Sequence, residues 1–230
     1  MIYLTGDTHG LIDIDKLDLY FWDKDYVTKD DYLIILGDVG CLWDGGDGDR
    51  AVQKKLHDLP CTVLWIDGNH ENFDLMACTG SESAWNGGRV QIIQEDIKRL
   101  LRGQIYEIEG HKFWTMGGGN SIDRIYRQKG VSWWSQEMPS REEYEEGTKN
   151  LERVDYKVDY ILTHTCPETI GRQLVNTIYP GEEELQRYLE FIANEAEFKD
   201  WYFGHWHVDK DIGKFHALYN RIIKLGENEE

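Results

Sequence analysis

The chain has 230 residues, 40% of them apolar and 13% aromatic, enough for one domain with a sizeable buried core. Its 25 basic against 43 acidic side chains leave a formal net charge of −18, which argues against extended nucleic acid or an anionic membrane surface as partner. A single phosphate group is not excluded, because it responds to charges within about 8 Å at physiological salt and bound cations can dominate there.

In chain order, the apolar run Ile2-Tyr3-Leu4 ends in the turn Gly6-Asp7-Thr8-His9-Gly10. No basic region or long apolar stretch accompanies it, so the N-terminus does not read as a signal peptide. Leu33-Ile34-Ile35-Leu36 leads into Gly37-Asp38, and Val63-Leu64-Trp65-Ile66 leads towards Gly68-Asn69-His70-Glu71. Between these two runs, Val52, Leu56 and Leu59 fall at i, i+4, i+7 and predict a helix. Alternating stretches at 104–108 and 112–116, joined through Glu109-Gly110-His111, predict a hairpin. Ser140 with Glu143 forms a capping box for a polar helix reaching about residue 150. Tyr160-Ile161-Leu162-Thr163 ends at His164, and Trp201-Tyr202-Phe203 ends at Gly204-His205-Trp206-His207. Behind the acidic opening Glu182-Glu183-Glu184, the spacing of Leu185, Leu189, Ile192 and Ala196 predicts a further helix. Short antiparallel strands follow at 208–213, 215–219 and 221–225. Apolar runs of this length with β-branched or aromatic content predict buried strands, and their alternation with helices predicts a layered α/β domain with mixed sheets.

The four cysteines, Cys41, Cys61, Cys78 and Cys166, show no CxxC pairing and read as free thiols of a reducing compartment. No segment approaches the roughly 20 apolar residues of a membrane span, so a cytoplasmic protein is expected.

Sites of open α/β sheets form beyond the carboxyl ends of the strands. All five polar turns sit there, and they supply Asp7, His9, Asp38, Asn69, His164, His205 and His207. This oxygen and nitrogen set without sulfur suits Mn²⁺ foremost, with Fe, Zn²⁺ or Ni²⁺ as alternatives. Singly, each turn has an ordinary reading: Gly-Asp is common in turns, Asn69 serves as a turn residue, and a lone His164 is more often a satisfied core histidine. Together they resist that reading, because five of the eight histidines lie in these turns. Two divalent ions against the carboxylates Asp7 and Asp38 leave a surplus of about +2, comparable to the roughly −1.5 to −2 of a phosphate monoester. Such a pair of ions activates a bridging hydroxide for in-line displacement at phosphorus.

These residues, GD-x-H-G at 6–10, GD-x-G at 37–40, GNHE at 68–71, TH at 163–164 and GH-x-H at 204–207, resemble the calcineurin-like metallophosphoesterase superfamily. The resemblance implies a four-layer α/β sandwich of two mixed β-sheets flanked by α-helices, here one domain over 1–230 with a substrate-facing insertion around 80–155. It implies that Asp7, His9, Asp38 and His207 hold one ion and that Asp38, Asn69, His164 and His205 hold the other. It places His70 near the leaving oxygen as proton donor or transition-state stabiliser. The turns look most like the serine/threonine protein phosphatase branch, including small phage and bacterial members. That branch, however, follows its second Asp with a pattern ending Asp-Arg-Gly, where this chain has Gly40-Cys41-Leu42. Asp44 is then the candidate carboxylate partner for His70. Asn120, Arg124 and Arg127, behind the turn Gly117-Gly118-Gly119, are candidate phosphate contacts beside Asn69; the plainer reading is a hairpin exit with surface arginines.

The expected activity is hydrolysis of phosphomonoesters on a small phosphorylated substrate or a phosphoprotein. The alternatives are a phosphodiesterase acting on small nucleotides or nucleic-acid ends, a non-catalytic scaffold, and a cysteine-dependent phosphatase built on Cys166-x5-Arg172. Against the last, Pro167 and Glu168 are awkward in an anion-binding loop. His57, His111 and His216 read as surface or packing residues, and Trp133-Trp134 as core filling rather than a groove lining.

Overall fold

The central strands are apolar along most of their length because both of their faces are covered. The computed structural model describes residues 1–19, 22–23, 26–175 and 181–226. One sheet contains β1 (Ile2–Thr5), β2 (Tyr32–Ile35), β3 (Thr62–Trp65), β4 (Ser81–Trp85), β5 (Gly88–Gln94) and β6 (Ile97–Leu100). The other contains β7 (Ile105–Ile108), β8 (His111–Met116), β9 (Tyr160–Thr163), β10 (Asp200–Phe203), β11 (Lys210–Ile212) and β12 (Phe215–Ala217). The last strand, β13 (Ile223–Lys224), returns to the first sheet. The strand orders are β13-β1-β2-β3-β6-β5-β4 and β11-β12-β10-β9-β8-β7.

Helices α1 (Asp15–Leu19), α2 (Asp47–His57) and α3 (Phe73–Cys78) belong with the first sheet. Helices α4 (Arg141–Glu152), α5 (Glu168–Leu174) and α6 (Glu183–Glu195) belong with the second. Successive side chains of a strand point to opposite faces, and three apolar layers follow from that. Leu33, Ile35, Val63 and Trp65 pack under the first helices with Leu17, Val52, Leu56 and Met76. Their alternates Ile34, Leu36, Leu64 and Ile66 meet Phe113, Tyr160, Leu162 and Tyr202 between the sheets. Ile161, Trp201 and Phe203 face Leu151, Leu185, Leu189 and Ile192 on the far side. Two mixed sheets between helical layers give the expected four-layer sandwich.

The helix at α6 and the capping box at α4 form where expected, the latter with Ser140 Oγ accepting from the Glu143 amide at 3.2 Å. Within the span 80–155, residues 81–116 supply strands to both sheets. One expectation changes. The C-terminal strands are not one antiparallel set: β12 runs parallel to β10, and β13 pairs antiparallel with β1 in the other sheet. Trp134 is buried in the first core, as core filling requires. No helix among the described residues is long and apolar enough to cross a membrane.

Candidate active site

Strands β1, β2 and β3 run parallel, as do β9 and β10, so the turns after all five leave from one end of the sandwich. Backbone bonds join these turns. The amides of Thr8 and His9 donate to the Asp38 carbonyl at 3.1 and 2.7 Å, and Gly204 donates to the His164 carbonyl at 2.9 Å. Carboxylates then latch turn to turn: Asp7 accepts from the His205 amide on both oxygens at 3.1 Å, and Asp38 Oδ1 accepts from the His70 amide at 2.7 Å. The approach at Gly68 is so close that a Cβ there would collide with the carboxylate and amide of Asp38. Four of the site residues adopt left-handed backbone, His9, Asp38, His205 and His207, with φ of 43°, 51°, 67° and 48°. Side chains other than Gly reach this region at a cost.

All seven candidate ligands converge. Donor atoms of Asp7, His9 and His207 lie within 4.8 Å of one another, as do those of Asp7, Asp38 and His164 and of His9, Asp38 and His70. Asn69 Oδ1 is 3.0 Å from His164 Nε2 and 2.8 Å from His205 Nδ1. Asp38 turns Oδ2 to His9 Nε2 at 3.3 Å and Oδ1 to His164 Nε2 at 3.5 Å, one oxygen to each half of the cluster.

Hydrogen-bond partners assign the tautomers. His164 Nδ1 faces the Leu36 carbonyl at 2.7 Å, His9 Nδ1 faces Asp13 at 2.7 Å, and His205 Nε2 faces Glu182 at 3.2 Å. Those nitrogens carry the hydrogens. Asn69 Nδ2 donates to Ser121 Oγ at 3.1 Å, which turns its oxygen inward. The inner nitrogen and oxygen atoms are therefore aimed at one another, an arrangement that calls for cations or protons between them. Protons answer part of that demand. Burial lowers the pKa of His9 and of His205, yet Asp38, Asp7 and Asp13 around the first, and Glu182, Asp38 and Asp7 around the second, outweigh it and raise both to about 9. Asp38 is 1% exposed and its pKa is held far below the usual carboxylate range, because His164, His9 and His70 more than offset its burial. The donor set thus fits hard or borderline divalent ions, with carboxylate, amide and imidazole ligands and outer partners on three of the histidines.

His70 stands at the junction of two concavities. A cavity of about 300 Å³ lies over Asp38, Asn69, Asn120, His205 and His207, and a groove of about 550 Å³ begins on its other side. Its ring meets Arg127, whose Nη1 is 2.9 Å from His70 Nδ1 and whose Nε pairs with Asp123 at 2.7 Å. Burial foremost, with Arg127 and His9 adding to it against the pull of Asp38, lowers the His70 pKa and favours the neutral ring. Asn120 lines the cavity, its amide fixed by Glu182 at 2.9 Å. Arg124 lines neither concavity: its guanidinium bonds Asn120 Oδ1 at 3.0 Å and lies 5.8 Å from the Trp133 ring.

Two further expectations are corrected. Asp44 gives its carboxylate to the Gly46 amide at 2.6 Å, and the side chain against His70 is a cation, Arg127. Cys166 is fully buried, and burial first and Glu182 second push its thiol well above the ordinary range. Arg172 bonds Glu168 on the exposed face of α5 at 3.1 Å, so no thiolate and guanidinium cradle a phosphate there. His57 pairs with the largely buried Asp96 and His216 with the exposed Asp211, as packing histidines do.

Sequence reasoning missed Asp13, Glu182 and Tyr219. Asp13 lies four residues after His9, a spacing that hints at contact. Glu182 reads as a helix-opening acid yet is fully buried, bonding Thr165 Oγ1 at 2.9 Å and Gln186 Nε2 at 2.8 Å besides His205. Tyr219 stacks on His207 with ring centroids 4.7 Å apart, from a segment with no motif.

The model of the calcineurin-like phosphoesterase family matches residues 1–209. Among solved structures, the chain is similar to phosphopantetheinyl hydrolase (PptH) from Mycobacterium tuberculosis, with 17% identity over 95% of this chain and 87% of that one and a TM-score of 0.48. It is also similar to a Staphylococcus aureus protein assigned as a 5′-nucleotidase and solved with alpha-ketoglutarate, with 11% identity over 95% of this chain and 48% of that one and a TM-score of 0.43. No curated protein matches the chain. The family match covers all five strand-end turns up to His207, and on it the chain belongs to the calcineurin-like phosphoesterases, which hydrolyse phosphoesters with the aid of metal ions.

Proposed function

We propose that the chain is a dinuclear-metal phosphomonoesterase, with Asp7, His9, Asp38 and His207 holding one ion and Asp38, Asn69, His164 and His205 the other. The observation that carries this reading is the inward convergence of donor atoms on Asp38, Asn69, His164 and His205 beneath a cavity of about 300 Å³. When bound, two divalent ions, Mn²⁺ foremost, supply a nucleophilic hydroxide at neutral pH and positive charge towards the phosphoryl oxygens.

The chain's own groups do the rest. Asp38 spans the two halves and is held by the His70 amide. His70, at the cavity edge, serves the leaving oxygen as proton donor or transition-state stabiliser. Asn69 and Asn120 face the phosphoryl group, and Arg127, against His70, adds charge at the same edge. The monoester preference is supported by charge: two ions less Asp7 and Asp38 leave about +2, which matches a dianion better than the single charge of a diester. The buried free cysteines fit a reducing, cytoplasmic setting, and the proposed substrate is a small phosphorylated molecule.

The test compares p-nitrophenyl phosphate with its bis-ester on protein loaded with Mn²⁺, Fe, Zn²⁺ or Ni²⁺. Faster monoester turnover is expected, with His70→Asn keeping the metal and losing about 10²–10⁴-fold in kcat. Preference for the bis-ester, or full turnover in the His70 variant, overturns the assignment.

A further inference from the structure

The groove beside His70 is lined by His9, Leu11, Ile12, Trp43, Val52 and Arg127 among others and holds about 550 Å³, within the range of small-molecule sites. We propose that it is a leaving-group subsite selecting phosphomonoesters of apolar alcohols. The inference rests on the phosphomonoesterase reading, because it follows from where the ester bond must lie. Water adds across the P–O bond, its oxygen going to phosphorus and a proton to the departing alkoxide. If the phosphoryl group occupies the cavity over Asp38 and His70 faces the alkoxide, the alcohol projects past His70, and the groove begins there.

Its walls are apolar and fixed. Leu11 and Ile12, directly after the His9 turn, are 58% and 79% exposed. Trp43 forms the facing wall, with its amide bonded to Asp49 at 2.8 Å, its carbonyl bonded to Asn72 at 2.6 Å and its ring set edge-on against Trp134. That wall cannot fold over to cover the two aliphatic residues. Ile122, Ile125, Tyr126 and Val131, on the same segment of chain as the groove residues Arg127 and Ser132, are also strongly exposed apolar side chains. Among the described residues, Tyr26 and Phe191 are the other large apolar side chains so exposed. Apolar surface concentrated in one place marks a binding surface.

Charge selects the far end of the ligand. Arg127 contacts His70, where the ester bond would lie, and the carboxylates that line the groove are Asp44 and Asp49. A second phosphate or a carboxylate on the alcohol would meet those acids. The ligand that fits has an anionic head and an uncharged aliphatic or aromatic tail.

The experiment uses ethyl, butyl and hexyl phosphate, whose leaving alkoxides are nearly equal in basicity, so the chain length reads binding alone. kcat/KM should rise about fourfold per methylene, and binding of the matching alkylphosphonates, measured by calorimetry, should follow the same slope. In Ile12→Ser and Leu11→Ser the slope should flatten. Turnover of ethyl phosphate with a flat series, or an unchanged slope in both variants, overturns the subsite and leaves the phosphomonoesterase reading intact. Phosphonates that gain affinity with length while no ester is hydrolysed support the subsite and sink that reading instead.

Discussion

Glu182→Gln isolates one charge behind a proposed ligand. Glu182 Oε1 sits 2.9 Å from the Asn120 amide and 3.2 Å from His205 Nε2, while Oε2 takes Thr165 and Gln186. A glutamine that keeps its oxygen at the Oε1 position preserves both contacts there, and its NH2 replaces Oε2, where Thr165 and Gln186 can each turn an oxygen towards it. What disappears is the negative charge that makes His205 the better donor to a cation. A hydrogen bond to a charged group contributes about 1.5–3 kcal/mol and a neutral one about 0.5–1.5. The difference of about 1–1.5 kcal/mol weakens metal binding roughly tenfold, at the low end of the 10–100-fold typical of outer partners. Calorimetric titration of metal-free protein with Mn²⁺ should show one of two equivalents weakened, and Asp13→Asn, which acts behind His9, should weaken the other. Binding within twofold of the parent protein in a Glu182→Gln variant that unfolds in urea as the parent does would refute the argument.

Three further outcomes are expected. Gly68→Ala forces a Cβ into the carboxylate and amide of Asp38, so it should lower stability by about 1–3 kcal/mol and lower the bound metal measured by elemental analysis; a fully loaded, equally stable variant would contradict this. Arg127→Ala removes a guanidinium 2.9 Å from His70 at the cavity edge and should raise the inhibition constant of inorganic phosphate by about 10–100-fold; unchanged inhibition would place Arg127 outside the phosphate site. Ser140→Ala takes away the acceptor for the Glu143 amide at the start of α4 and should cost about 0.5–2 kcal/mol in urea unfolding with metal affinity unaltered; an unshifted midpoint would mean that the cap does not stabilise the helix.

What the sequence disclosed follows from where information is local. A strand buried on both faces is apolar at every position, so Leu33-Ile34-Ile35-Leu36 and its counterparts are visible as runs, and the polar turns that end them are visible by contrast. The capping box at Ser140 is equally local. By contrast, β4 is exposed along nearly its whole length and carries no core pattern. The return of β13 to β1 is a pairing across more than 200 residues that no local spacing encodes. The same holds for the site. The seven donors sit at strand ends and could be read off, whereas Glu182 and Arg127 reach His205 and His70 across the fold. The Asp-Arg-Gly pattern is absent after Asp38, and the guanidinium beside His70 is that of Arg127, from a segment distant in sequence.

The left-handed backbone at His9, Asp38, His205 and His207 sets local preference against activity. Glycine at any of these positions would relieve a backbone cost of about 1 kcal/mol, so a version of this chain freed from catalysis could gain thermal resistance by abandoning its donors one at a time. Directed evolution for heat tolerance alone should therefore erode the two His-x-His and Asp-x-His corners first, and library screens on this scaffold need an activity gate at every round.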